Sequence, residues 1–535
     1  MLAGSLIHHA PPPLSGAGEY KIFSRRILFM KKKLLSALLC TAMVASMLTG
    51  CGNSSAPAGN AGSGDSAPAA DSSAAEGEEE GLPAMTTDEI ELTYMNFDNK
   101  VLTEYLAEKF MEKYPNIKVN IIYVAAGAEY NDTLLNLVNT GKTPDCFMIL
   151  GNCDFALSNS LLGDMTEYWE NDPENENILP SINGAKLGYY GTDTKYSTPI
   201  KFFPDALYAD MAVFEKLNVA MPPTDWTWDE MIQAFKDVTS PDEGIYGFNQ
   251  FHSIVTYYPV ASDPNCIGEF GWNGKEFDLT NWAKGVNDLG DLMKGKYRAP
   301  TTEDEIVAWL GSNEWAGFSG KIGFQIDAFW TYLNLFDTDE YRNKGIEFVP
   351  YATPSVEGND VKYKFGVFDF GGISSGTEYP REAYELLKFM GWGLEGWQAK
   401  MEAYKTLKDE EAGVEIWKQS MPAPLTMDEA IWTDYQTTFF PSLKKAEADQ
   451  TDKDKKYGQY FDDYFDQVKQ GVIPFGDCQI PGFAGFVGAE GPYAGVEDSV
   501  FNGEKNANDW VTELTEKANE YNRQAMEDAG LTPAE

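Results

Sequence analysis

The sequence predicts an α/β fold whose opening section is a parallel sheet covered by helices, and three observations carry that prediction. From residue 91 the segments alternate strand, helix, strand, helix, strand, an order that favours parallel pairing through crossover helices. Further on, short strands rich in aromatic and glycine residues are interspersed with long amphipathic helices. About 450 residues follow the low-complexity N-terminal region, enough for two sizeable domains.

Each element has its own warrant. Residues 91–97 alternate as a strand does. Residues 101–114 carry Leu102, Tyr105, Leu106, Phe110 and Met111 at helical spacing, and Pro115-Asn116 ends the helix. Residues 117–124 form the second strand, 130–138 a helix closed by Gly141, and 143–150 the third strand. Ligands of such sheets bind beyond the carboxyl ends of the strands, which singles out the loops 97–100 and 151–155. After Pro199, residues 207–217 and 228–238 read as helices, the second capped by Thr227. Strands are expected at 322–324, 346–351 and 365–373. Amphipathic helices follow at 382–390, 396–404, 428–439, 457–470 and 507–525.

Composition excludes several functions. Asp and Glu number 83 against 41 Lys and Arg, so a polyanion such as nucleic acid has no clustered basic surface to meet. Cys146, Cys153, Cys266 and Cys478 lack zinc-site spacing; Cys146 and Cys153 either pair in an oxidising compartment or stay as buried thiols. Beyond residue 51 the only histidine is His252, which rules out a multi-histidine metal centre. No cofactor and no metal are expected, and the expected state is a monomer.

The N-terminal region carries a second signal. Residues 1–29, with His8, His9 and three consecutive prolines, fit no targeting pattern, and Met30 followed by Lys31, Lys32 and Lys33 is the expected start. Residues 34–48 are apolar but too short for a stable membrane span, so 30–50 reads as a signal peptide. Leu48-Thr49-Gly50-Cys51 resembles a bacterial lipobox, which implies cleavage before Cys51 and a diacylglycerol on its thiol. Residues 51–87, mostly Ala, Gly, Ser, Pro and acid, are expected to be a disordered tether. A lipid anchor of this kind places the protein on the extracellular face of the cytoplasmic membrane, in a Gram-positive type of envelope.

In the folded part, a series of short motifs occurs in one order. They are Phe110 to Val119 (helix, Tyr-Pro, strand), Gly141-Lys-Thr-Pro-Asp145, and Pro199 to Phe214. Next come Pro222 to Glu230 with its Thr-Trp-Asp-Glu end, Gly320-Lys-Ile-Gly-Phe324 with Trp330, and Pro350 to Pro354. Gly371-Gly-Ile-Ser-Ser375 and Pro380-Arg-Glu-Ala-Tyr384 close the series. Across about residues 90–400 the chain thereby resembles the extracellular solute-binding proteins of ABC importers, in particular the family of maltodextrin and oligosaccharide receptors. Asp210 departs from that pattern, which has asparagine there.

The resemblance implies a two-lobed, type II periplasmic-binding-protein-like fold with a ligand cleft between lobes. Lobe 1 is expected at 88–201 with a return at 373–425, and lobe 2 at 202–372, with a helical part at 426–535 mainly on lobe 2. Segments 199–204 and 370–375 would be the hinge. The implied function is capture of an oligosaccharide or other carbohydrate by lobe closure and delivery to an ABC permease. The competing readings are a lipid-anchored glycosidase, which needs two carboxylates roughly 5–10 Å apart, and a surface adhesin or sensor.

Sugar recognition calls for aromatic faces against the C–H side of a pyranose and planar polar groups for its hydroxyls. Positions matching the family's cleft loops are Asp98, Asn152 and Asp154 as hydroxyl acceptors, Phe203 in the first crossover, and Asp327 with Trp330 as the stacking residue. Phe251 and His252 of the second lobe, Gly372 as a close backbone approach, and Phe486 from the C-terminal part complete the set. Each has a structural alternative: a helix cap for the polar residues, core packing for the aromatic ones.

Overall fold

The computed structural model describes residues 81–183, 186–249, 256, 258–328, 331–332, 339–356, 359, 366–407, 422–440, 450–471 and 479–533. Residues 80–535 make one compact unit. Its sheet begins with β1 (Ile90–Asn96), α1 (Lys100–Lys113), β2 (Ile117–Tyr123), α2 (Ala128–Asn139) and β3 (Cys146–Ile149). β1 lies between β2 and β3 and is parallel to both, as the alternating order predicts. α3 (Asp154–Ser158) then opens the connection to β4 (Thr198–Asp210).

β4 decides the architecture. All 13 of its residues are buried. Its first half pairs antiparallel with β8 (Gly366–Ile373), and its second half with β6 (Ile322–Ala328) and β7 (Phe348–Tyr351). With β5 (Tyr246–Phe248) on β6, the described strands follow the path β2-β1-β3-β8-β4-β6-β5, and β7 branches from β4. Proline cannot donate to a ladder. Pro199 sits at the register shift and Pro204 is the last partner of β8 before β6 takes over at Asp205. The two prolines therefore stand where the pairing changes. Ala423 N–H donates to the Phe202 carbonyl at 2.9 Å, which brings this stretch of chain beside β4.

The strand at β4 corrects the expected helix at 207–217: residues 207–210 are strand, and α4 (Met211–Leu217) starts only after Asp210 caps it. A short apolar run reads alike for a buried strand and a buried helix, and partners on both sides settled it as strand. α5 (Trp228–Asp237) starts with the reciprocal Thr227–Glu230 capping box. Between β5 and β6 lies α6 (Trp282–Lys294), which is not among the helices expected from the sequence. Two glycines lower its intrinsic propensity. Gly290 is placed where a Cβ would come within 3.2 Å of Val500, so the packing that favours the helix is long-range. Further on come α7 (Glu303–Leu310), α8 (Pro380–Met390), α9 (Leu394–Leu407), α10 (Glu429–Phe439), α11 (Asp452–Gln470) and α12 (Val511–Asp528), of which α8 packs on β8 and α11 on β7. Cys146, Cys153 and Cys266 are buried free thiols. Among the described residues no helix is long and apolar enough to cross a membrane.

Candidate solute site

The loop after β1 is built by a relay of short polar side chains. Asn96 Oδ1 accepts from Asp98 N–H at 3.1 Å, Asp98 Oδ1 from Asn99 N–H at 2.5 Å, and Asn99 Oδ1 from Leu102 N–H at 3.1 Å. Asx side chains favour such turns because they reach backbone groups a few atoms away. The last link is also the N-cap of α1. The turn delivers the Asp98 carboxylate to β4, where it pairs with the Lys201 ammonium. Lys201 is opposite Asp369 in the β4–β8 register. Burial pushes the Asp369 carboxyl up to about 6, with Lys201 opposing the rise and Asp98 adding to it.

Lys400 of α9 lies close by, buried, and donates to the Gly391 carbonyl at 2.8 Å. Burial brings its ammonium down to about 7; Lys201 pushes the same way and Asp98 opposes. Tyr94, Asp98, Thr103, Lys201, Lys400 and Pro422 surround a cavity of about 10 Å³, roughly the room one water needs.

The loop after β3 repeats the design. Asn152 Oδ1 accepts from Asp154 N–H at 3.1 Å. Asp154 Oδ1 accepts from Gly482 N–H at 3.2 Å, which ties this loop to the C-terminal part of the chain. Burial raises the Asp154 carboxyl, and the Gly482 and Asn152 hydrogen bonds partly offset that rise. On β6 a buried polar string runs from Asn249 Nδ2 to Gln325 Oε1 (2.8 Å), and from Gln325 Nε2 to Asp327 Oδ2 (3.3 Å). Thr331 Oγ1 donates to Asp327 Oδ1 at 2.9 Å. Planar polar groups satisfied on one side in this way are held in a single orientation.

The structure therefore places Asp98 and Phe203 around the same cation, with Lys201 Nζ paired to the carboxylate and 5.9 Å from the Phe203 ring centroid. Asn152 and Asp154 share the neighbouring loop, and Asp327 lies on the β6 side of β4. Gly372 opposes Phe147 in the β3–β8 ladder. A Cβ there would stand 2.5 Å from Leu162 Cδ2 and 2.9 Å from the Tyr196 carbonyl, so what approaches this glycine is the protein itself. Gly372→Ala is expected to cost about 1–3 kcal/mol through overpacking, read from chemical denaturation. Phe486 is fully buried, with Phe270 and Tyr493 rings 5.7 and 5.8 Å away. Phe251, His252, Trp330 and Cys51 lie outside the described residues.

Lys201, Asp369, Lys400, Asn249 and Gln325 were not singled out from the sequence. One signal existed: Lys201 is a cation inside the otherwise apolar run Pro199-Ile-Lys-Phe-Phe-Pro204, and a charge in such a strand needs a partner. Among the described residues, no cluster of His, Cys, Asp and Glu is arranged to hold a metal ion.

Comparison with known proteins matches this architecture. A search of curated protein sequences returned no significant match. Several solved structures share the fold. An ABC substrate-binding protein of Listeria monocytogenes in complex with cycloalternan is 17% identical, with a TM-score of 0.52, over 83% of this chain and 100% of that one. A cyclo/maltodextrin-binding protein complexed with maltotetraose is 19% identical, with a TM-score of 0.53, over 83% and 99%. A sugar transporter protein of Rhizobium etli in an open conformation is 14% identical, with a TM-score of 0.57, over 80% and 98%. At these identities the likeness is one of fold, the mixed α/β fold of type II periplasmic binding proteins. The family model for bacterial extracellular solute-binding proteins matches residues 98–391, more than half of the chain. With that match added to the β4–β8 crossover and the polar loops beside it, the chain belongs to the bacterial extracellular solute-binding protein family, whose members are receptors and not enzymes.

Proposed function

We propose that the protein is a lipid-anchored receptor that captures an oligosaccharide or other carbohydrate and delivers it to an ABC permease. The observation that carries this reading is a carboxylate and an aromatic ring, Asp98 and Phe203, both beside the Lys201 ammonium at the strand where one half of the sheet passes into the other. A pyranose offers hydroxyls and an apolar C–H face to such a pair. The carbohydrates bound by two of the structural relatives, cycloalternan and maltotetraose, support the same class of ligand. In this reading 88–201 and 373–425 form one lobe, and 202–372 with 426–535 mainly the other. β4, β8 and 422–426 act as the hinge. Asn152, Asp154 and Asp327 are then the further hydroxyl acceptors, with Phe251, His252 and Trp330 as cleft contacts, whereas Gly372 and Phe486 pack against the protein's own side chains. A bound solute touching both lobes favours the closed form, which docks on the permease.

The test is a thermal-shift screen of the full chain against linear and cyclic oligosaccharides, with peptides as the contrasting class. A ligand at a hundredfold excess over its Kd is expected to add about 2.7 kcal/mol of stability. Stabilisation by peptides alone would sink the carbohydrate assignment. The anchor at Cys51 is tested separately by metabolic palmitate labelling: Cys51→Ser should abolish incorporation, and an unlabelled parent protein would remove the anchor from the proposal.

A further inference from the structure

Asp98 is held in an asymmetric way. The Lys201 ammonium and the Asn99 N–H both meet Oδ1, whereas Oδ2 has no partner among the described residues. The two side chains are 9% and 14% exposed, so the pair sits at the edge of solvent. We propose that Lys201 is a positioning residue for solute binding, fixing Asp98 so that its second oxygen is presented as a hydroxyl acceptor at a set distance from the Phe203 ring. The inference rests on the carbohydrate-receptor reading with Asp98 as a contact.

Three features support it. Lys201 comes from β4, between the buried residues Ile200 and Phe202, so its stem is fixed by the strand and only the ammonium can adjust. Its Nζ lies within cation–π reach of Phe203. One cation thus sets both the polar acceptor and the aromatic face, the two features a sugar ring requires. Finally, the other cation beside the pair among the described residues is already engaged elsewhere. The titratable groups around the pair are Tyr94 of β1, Asp369 of β8 and Lys400 of α9. Lys400 is committed to the Gly391 carbonyl. Without Lys201, Asp98 faces Asp369 with no cation between them, and repulsion turns its carboxylate away from the set orientation.

The test is calorimetric titration of a defined panel: maltotetraose, cellotetraose, xylotetraose and raffinose. It compares the wild-type chain, Lys201→Met, Asp98→Asn and the double variant. The wild type is expected to bind at least one sugar. K201M and D98N are each expected to weaken that affinity about tenfold, as for loss of a charge-assisted hydrogen bond, and the double variant no further. A purely structural role for Lys201 would instead make the two losses multiply. Wild-type binding with K201M within about twofold of it, or multiplying losses, overturns the inference and leaves the receptor reading standing. A wild type that binds none of the four sugars fells the carbohydrate reading and this inference together. Should K201M lose its cooperative melt, Lys201→Arg decides. The retained positive charge should keep affinity within about threefold, and a loss of tenfold or more overturns the proposal.

Discussion

Asp210→Asn is expected to stabilise the protein at pH 8 by about 1–3 kcal/mol and by only about a third as much at pH 5. Asp210 is 1% exposed at the end of β4, and its Oδ1 accepts from the Ala212 N–H at 3.1 Å and the Glu347 N–H at 3.0 Å. Its Oδ2 is buried with no partner among the described residues. Burial pushes the carboxyl up to about 7, although the backbone hydrogen bonds pull the other way. The folded-state value lies above that of the unfolded chain, so the native state holds an extra proton between about pH 4 and about 7. Stability therefore falls as pH rises through that window, and the penalty is constant above it. Asparagine keeps the acceptor and removes the charge. Melting both proteins at the two pH values checks the sign: an equal gap at pH 5 and pH 8 would show that charge is not the cause.

Lys388→Met is expected to cost about 3–5 kcal/mol, the usual penalty for breaking one side of a buried ion pair. Lys388 is the hub of three acids, with Asp172 at 3.1 Å, Glu385 at 3.2 Å and Glu174 at 3.4 Å. The Asp172 and Glu385 side chains are 1% and 8% exposed. Asp172 also accepts from the Tyr384 hydroxyl, and Glu385 from Arg381, so the hub ties the segment 172–177 to α8. Methionine fills the space of the stem but leaves the Asp172 carboxylate with no cation. Burial raises Glu385, yet Lys388 and Arg381 more than offset this and hold it below the usual carboxylate range. Its contribution is present above the unfolded value and is lost as pH falls through the folded one. The gap between variant and parent should thus narrow on acidification, measured by urea titration at neutral and acidic pH.

Much of the fold was legible because its first elements are local. The run 90–150 has strands and helices whose periods do not conflict, and Pro115 and Gly141 mark where they stop. The Thr227 N-cap was equally readable, since the cap lies next to the helix it starts. By contrast, residues 207–210 read as helix, and α6 with its two glycines was overlooked. In both, partners distant in sequence outweigh local propensity.

The site divides along the same line. The amino-acid sequence by itself determined the family pattern, the loops after β1 and β3 as places of interest, and Asp98 as a carboxylate beside a helix start. Only the tertiary structure decided what each side chain faces. It set Lys201 against Asp98 from 103 positions away, joined Asp154 to Gly482, and placed Phe486 in an aromatic core. The physical reason is range: caps and turns are fixed by neighbours along the chain, whereas the partner of a buried charge is chosen by the packing of strands that meet only in the folded sheet.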